Sequence, residues 1–489
     1  MIRALAIVAC LVAPAAAFAQ DGADLLKQLN GTLEKVSPSK ASWKSVLEAW
    51  SEATPPPCSA ESGCGQDSIW PGMKEWAKFA SWAESNPQLA RALLAAQAMD
   101  GWNMPYGADL VPARLREKGV SVTVGSGNHL SNVVVGYLPA VRTIGLYAVA
   151  EQYRLCEAGR FQQGFELGLA YLRLLRQVCD QSLLTEKLFG MEQLTQALSV
   201  QRDMLWRYRQ SLPPRLASSL AKDGYTLLAK GDAETLRRLK MPEADILVMR
   251  AQLALGFDSS GTPLPGKFAQ AFGADPAHPS PMQRFGEEKL WSRLAAVHAS
   301  LQDSEQKLQA VYDDWYRRWR MRPYGSPYES VPTRLSTMNP VRYAAVDAQI
   351  RDIRSVFDAR KLLIANLNGT AYAASLVAYF RNEGNWPNTE EKAVSGAYMR
   401  ARFNLDPYNK DFDPNRQPGK GFGFSFAPSD RLLDTTAGRL SVKGPIVFSL
   451  GADLVSEGAK QNTDDGSKGD ILIWPPVREL AREQGLLGS

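Results

Sequence analysis

FQQGFELGLAYLRLL, residues 161–175, sets Phe161, Phe165, Leu169, Leu172 and Leu175 three or four residues apart. At 3.6 residues per turn these side chains share one face of a helix. TEKLFGMEQLTQALSVQRDMLW, residues 185–206, carries the same period. Turn signals at Ala158-Gly159, Pro213-Pro214 and Lys230-Gly231-Asp232 divide the stretch from about 130 to 256 into helical hairpins. A mainly α fold is expected.

Two words, CEAGRFQQGFELGLAYLRLL from Cys156 and AKGDAETLRRLK from Ala229, place a small residue and Gly before an amphipathic helix. They resemble tetratricopeptide stacking, but no clean 34-residue period runs through the chain. The expectation for residues 136–350 is a domain of irregular, repeat-like helical hairpins. Within it, 257–287 is rich in Gly, Pro and Ser and reads as a long surface loop, followed by a helix pair over about 287–322. That pair ends in Arg317, Arg318, Arg320 and Arg322 interleaved with Trp315, Tyr316 and Trp319. Solvated arginines on one helix face and buried aromatics on the other explain this pattern, as would a grip on a phosphate.

Residues 20–135 form a tryptophan-rich helical region, with Trp43, Trp50, Trp76, Trp82 and Trp102 at helix-like spacings and SVTV at 121–124 as a candidate strand. Core packing is the expected use of these rings; a sugar-binding cleft is the rival. Ahead of them, Arg3, the apolar run Ala4 to Val12 and Ala17-Phe18-Ala19 before Gln20 form a cleavable signal peptide over residues 1–19. A lipobox reading of Ile7-Val8-Ala9-Cys10 would instead put a lipid on Cys10, but it leaves an apolar core of only about six residues. No later stretch of 18 apolar residues is present to span a membrane. A periplasmic or secreted protein is expected.

Cysteine usage fits that compartment. Cys58 and Cys64 flank a short loop after Pro55-Pro56-Pro57, which favours a disulfide worth about 2 kcal/mol. Cys156 ends one helix while Cys179 lies at the far end of the next, nearly 30 Å away at 1.5 Å per residue. Two buried thiols are expected there. The formal charge of +5 falls to +4 without Arg3, with acids and bases interspersed, which argues against nucleic acid as a partner.

The last quarter departs from the hairpin pattern. A helix from about Pro340 to Glu383, expected to break near Gly369, is apolar all round, as a helix sandwiched between two layers must be. Gly384-Asn385-Trp386-Pro387, Asp406-Pro407-Tyr408, the alternating GFGFSFAP at 421–428 and IVFSLGADLVSEGAKQNTDDGSKGDILIW at 446–474 follow it. One long helix packed on an antiparallel sheet, a small α+β domain over 351–480, is the expected form.

In order and spacing, Asp406-Pro407-Tyr408, Ser449-Leu450-Gly451-Ala452-Asp453 and Gly469-Asp470-Ile471 resemble the globular domain of the major pseudopilin of type II secretion over about residues 355–475. The preceding helices resemble those of uncharacterised exported bacterial proteins that carry such a tail. The resemblance implies a calcium ion held by the carbonyl of Leu450 and by Asp453, Asp464 and Asp465, with Ser449 or Asp470 as a further donor. Leu454 departs from the family, standing where Gly is usual, and Lys460 and Gln461 enter the loop. More than 330 residues of other protein precede the helix that would be N-terminal in a pilin, which argues against a fibre subunit.

The residues support the ion on their own chemistry. Calcium takes six to eight oxygen ligands, and Asp453, Glu457, Asp464, Asp465 and Asp470 supply carboxylates among glycines that let the chain curl. An ordinary acidic loop is the alternative. Only three histidines are present, none with Cys or carboxylate at ligand spacing, and no Gly-x-Ser-x-Gly, His-Glu-x-x-His, Walker or dinucleotide motif occurs. The expected function is an exported, non-catalytic binding or scaffold protein with a calcium-stabilised C-terminal domain and a protein or glycan partner. A carbohydrate-binding or carbohydrate-active periplasmic protein is the rival.

Overall fold

Amphipathic helices bury their apolar faces only against other elements, so successive hairpins here stack side by side around one continuous apolar interior. The structure, a computed structural model, describes residues 22–58, 64–225, 239–273, 284–320, 331–350, 354–400, 403–409, 421–463 and 466–487. The expected signal peptide, including Cys10, lies outside the described residues. The N-terminal region contributes α1 (Gly22–Gly31), α2 (Trp43–Glu52), α3 (Trp76–Glu84), α4 (Pro87–Ala96) and α5 (Ala113–Glu117). SVTV supplies the two-residue strand β1 (Val122–Thr123), paired with β2 (Val134–Val135). Trp43, Trp82 and Trp102 are buried in this region, and Trp50, Trp70 and Trp76 are half-buried and packed on the same core.

Three long helices follow: α6 (Leu138–Glu157), α7 (Phe161–Val178) and α8 (Leu184–Arg207). Close packing among them uses Gly168 of α7. A Cβ there would stand 2.2 Å from Gln152 Oε1 of α6 and 2.8 Å from Gln201 Nε2 of α8. Without it, Gln201 Nε2 donates to Gln152 Oε1 at 2.6 Å and the buried amide pair is closed. Cys156 and Cys179 are both buried free thiols, as their places on α6 and at the end of α7 demand. Burial pushes each up to about 12, so both are inert. The sulfurs of Cys58 and Cys64 stand at disulfide distance, with Cα atoms 6.2 Å apart.

Beyond α9 (Pro214–Ser219) and α10 (Ala244–Ala254), the stretch expected to be loop from 257 to 287 holds a helix, α11 (Pro265–Phe272). Phe268, Ala271 and Phe272 sit at helical spacing and are buried, and Phe257, Trp291 and His298 ring Phe268. Glycines and prolines on either side hid this short apolar face. Then come α12 (Arg284–Ala295) and α13 (Leu301–Arg320). On α13 Trp315 and Trp319 are buried, and Arg318 is buried too, donating to Asp314 and to the carbonyls of Val331 and Pro332. Arg322 lies outside the described residues.

The helix expected from Pro340 is two helices, Ala344–Gln349 and Arg354–Glu383. The second, called here the long helix, runs through Gly369 unbroken, with every residue from Leu363 to Ala378 buried. Glycine at 369 serves approach and not a break: a Cβ would meet the side chain of Ile473 at 2.7 Å. Ile473 belongs to β5 (Ile471–Trp474), the edge of an antiparallel sheet ordered β3 (Gly423–Thr435), β4 (Gly438–Ser449), β5. The long helix therefore has the sheet on one side and α8 on the other. Gly369→Leu is expected to lower stability by roughly 1–3 kcal/mol through overpacking, read as a shifted urea midpoint with an unchanged slope. A last helix, Val477–Glu483, returns against α8 and β4.

Candidate functional site

The loop from Leu450 to Asp470 joins β4 to β5 and closes on itself. Ala452 N donates to Gly466 O at 2.7 Å, Asp470 N to Lys460 O at 2.9 Å, and Gln461 bridges to Gly469. Asp453 is exposed; its Oδ2 accepts from Gly469 N at 2.7 Å and its Oδ1 from Val455 N at 3.1 Å. These bonds draw the two ends of the loop together. Asp470 is fully buried, and its Oδ2 accepts from Ala459 N at 2.7 Å and Glu457 N at 3.1 Å. Its Oδ1 is buried with no hydrogen-bond partner among the described residues. Desolvation pushes the Asp470 carboxyl up to about 6, with the nearby charges of Glu457 and Asp453 acting in the same direction.

Asp406 of the Asp-Pro-Tyr word braces the loop's entrance. Fully buried, it accepts from Tyr408 N at 3.0 Å, Ser449 Oγ at 2.8 Å and Leu450 N at 3.0 Å. Burial raises its pKa, and these three donors work against that rise. The Ser449 hydroxyl is thus committed to Asp406, while its oxygen accepts from Gly451 N at 3.4 Å. The Asp-Pro dipeptide, which favours a turn, is the only signal of this brace in the sequence.

Leu454 has φ of +63°, the left-handed conformation that glycine adopts freely. A left-handed residue other than glycine carries about 1–2 kcal/mol of strain. Leu454→Gly is therefore expected to change stability by under about 1 kcal/mol, against 2–5 for truncating a buried leucine without such relief. Thermal unfolding of the two proteins checks this.

The structure brings Leu450, Asp453 and Asp470 to one loop with Ser449 at its root; Asp464 and Asp465 lie outside the described residues. Among the described residues no group of three His, Cys, Asp or Glu side chains stands close enough to hold a metal by itself. A calcium ion would draw on main-chain carbonyls as well, which is its habit. The donor set is all oxygen, the type calcium takes, and Asp470 Oδ1 has no partner among the described residues. Searches with the chain return no matching family model, no matching curated protein and no matching solved structure. Among the described residues no helix is long and apolar enough to cross a membrane.

Proposed function

We propose that this is an exported, non-catalytic binding or scaffold protein whose C-terminal α+β region is tightened by calcium in the loop 450–470. The observation that carries the reading is the Asp470 Oδ1 beside Asp453, buried and with no hydrogen-bond partner among the described residues. Asp453, Asp470 and the Leu450 carbonyl, together with Asp464 and Asp465, would hold the ion. Bound there, calcium supplies no chemistry beyond neutralising the loop's carboxylates and tying β4 to β5. The even cysteine count after residue 19, the Cys58–Cys64 pair and the signal-like N-terminus support export. Its partner would be a protein or a glycan.

Calcium titration of the whole chain tests the reading. Calcium at 100 times its Kd is expected to add about 2.7 kcal/mol to stability, seen as a rise in Tm. Asp470→Asn keeps an acceptor for Ala459 N and Glu457 N but sets an amide where the ion needs an anion, so the rise should vanish. The Asp470 carboxyl lies well above its ordinary 3.8, so protons compete with calcium as pH falls through about 6 and affinity should drop there. An unchanged Tm in millimolar calcium, or a rise that survives Asp470→Asn, overturns the site.

A further inference from the structure

A cavity of about 740 Å³ lies between α8, the long helix, β5 and the last helix, within the size range of pockets that hold small organic ligands. Its apolar wall includes Met191 of α8, Leu362 of the long helix, Ile471 of β5 and Val477 of the last helix. Arg202 of α8 and Asn366 of the long helix also line it. Arg202 is only 5% exposed. Its Nη1 donates to Asn366 O at 3.3 Å and Thr370 Oγ1 at 2.9 Å, and its Nη2 donates to Asn366 Oδ1 at 2.8 Å. All three acceptors are neutral, and they use three of the five N–H groups of a guanidinium. The N–H on Nε and one on Nη2 have no acceptor among the described residues.

The neighbouring acids are already engaged. Asp203 accepts twice from Arg478, at 2.8 and 3.1 Å, and Asp67 accepts from the same guanidinium at 3.1 Å. Burial accordingly pushes Arg202 down to about 10, the response of a cation lacking a close anion. A guanidinium presents Nε–H and one Nη–H as a parallel pair that matches the two oxygens of a carboxylate. One such fork in a largely apolar wall suits a monoanion with an apolar body. Asp67 and Asp203, paired with Arg478, also line the cavity, and with Glu192 on its exposed side they add negative charge that disfavours a dianion such as phosphate.

We propose that this cavity binds an organic monocarboxylate with an apolar chain, its carboxylate taken by Nε and Nη2 of Arg202 and its chain laid against Met191, Leu362, Ile471 and Val477. Gln461 of the loop 450–470 lines one edge of the cavity, but Leu450, Asp453 and Asp470 do not.

Calorimetry on the full chain with hexanoate, decanoate, decanol and inorganic phosphate, each below any micellar concentration, tests it. Saturable binding of decanoate is expected, at least tenfold tighter than hexanoate and tenfold tighter than decanol, with no binding of phosphate. Thr195→Trp puts an indole into the cavity from the partly exposed face of α8, and it should abolish decanoate binding while the unliganded Tm stays within a few degrees. Arg202→Met should erase the preference for decanoate over decanol. If that variant does not fold, the decanol comparison and Thr195→Trp still decide. Equal binding of decanol and decanoate, absence of saturable decanoate binding, binding of phosphate in its place, or binding that survives Thr195→Trp overturns the assignment.

Discussion

Glu186→Ala is expected to destabilise the protein by roughly 3–5 kcal/mol, because it strands several buried donors at once. Glu186 opens α8 and is fully buried. Its Oε1 accepts from Tyr137 Oη at 2.7 Å and its Oε2 from Tyr106 Oη at 2.8 Å. Oε2 also accepts from Leu183 N at 3.2 Å, satisfying a backbone donor at the start of α8. Tyr106 precedes β1, and Tyr137 precedes α6 and packs against Trp102 with centroids 5.6 Å apart. One carboxylate thus ties the tryptophan-rich region to the central helices. Urea unfolding should show a lower midpoint at unchanged slope.

A pH dependence accompanies it. Desolvation pushes Glu186 up to about 7 from its ordinary 4.5, and the hydrogen bonds from Tyr137, Tyr106 and Leu183 N hold it from rising further. A carboxyl whose pKa is higher in the fold than in the unfolded chain favours folding more when protonated. Its contribution is complete below about 4.5 and is lost as pH rises through about 7. The stability difference between the natural protein and Glu186→Gln should therefore grow in favour of the natural protein as pH falls from 7 to 4.5. A difference flat across that window would show that Glu186 does not titrate there.

Arg478→Ala is the second large effect, at about 3–5 kcal/mol. Arg478, on the last helix, donates to Asp203 Oδ2 through Nε at 3.1 Å and Nη2 at 2.8 Å, to Ser199 Oγ at 3.0 Å and to Asp67 at 3.1 Å. Asp203 is 2% exposed. Without Arg478 its remaining ion-pair partner among the described residues is Arg482 at 4.0 Å, so a buried carboxylate is left poorly compensated. Removing both charges, as in Asp203→Leu with Arg478→Met, should recover much of the loss, since the cost lies in the orphaned charge more than in the missing attraction. Chemical unfolding of the single and double variants measures the coupling.

The helical class was readable because Phe165, Leu172 and Leu175 repeat at a period that local chemistry enforces. The free thiols followed from helix length alone. The long helix was legible as a sandwiched element from its apolar circumference, but Gly369 was misread. Sequence shows that a glycine is there; only the fold shows that Ile473, more than 100 residues later, needs the space. The short helix at 265–272 was hidden by its flanks. At the aspartate loop the carboxylates were visible in sequence, whereas the brace from Asp406 and the orphaned oxygen of Asp470 depend on pairings between distant segments. Arg202 gave no signal, because a lone arginine on a polar-looking helix reads as solvated until the opposite wall is in place.

That opposite wall arrives late. Arg202 on α8 meets Asn366 and Thr370 across 164 and 168 residues of chain, and Arg478 reaches Asp203 across 275. As the polypeptide is made from its N-terminus, α8 is complete long before the long helix that covers it exists. Contacts of such long sequence separation close slowly, because the loop entropy must be met before they form. The central helices can gather early, but the face of α8 that carries Arg202 stays bare until the long helix and β5 have been made, so these later elements decide when that face is covered.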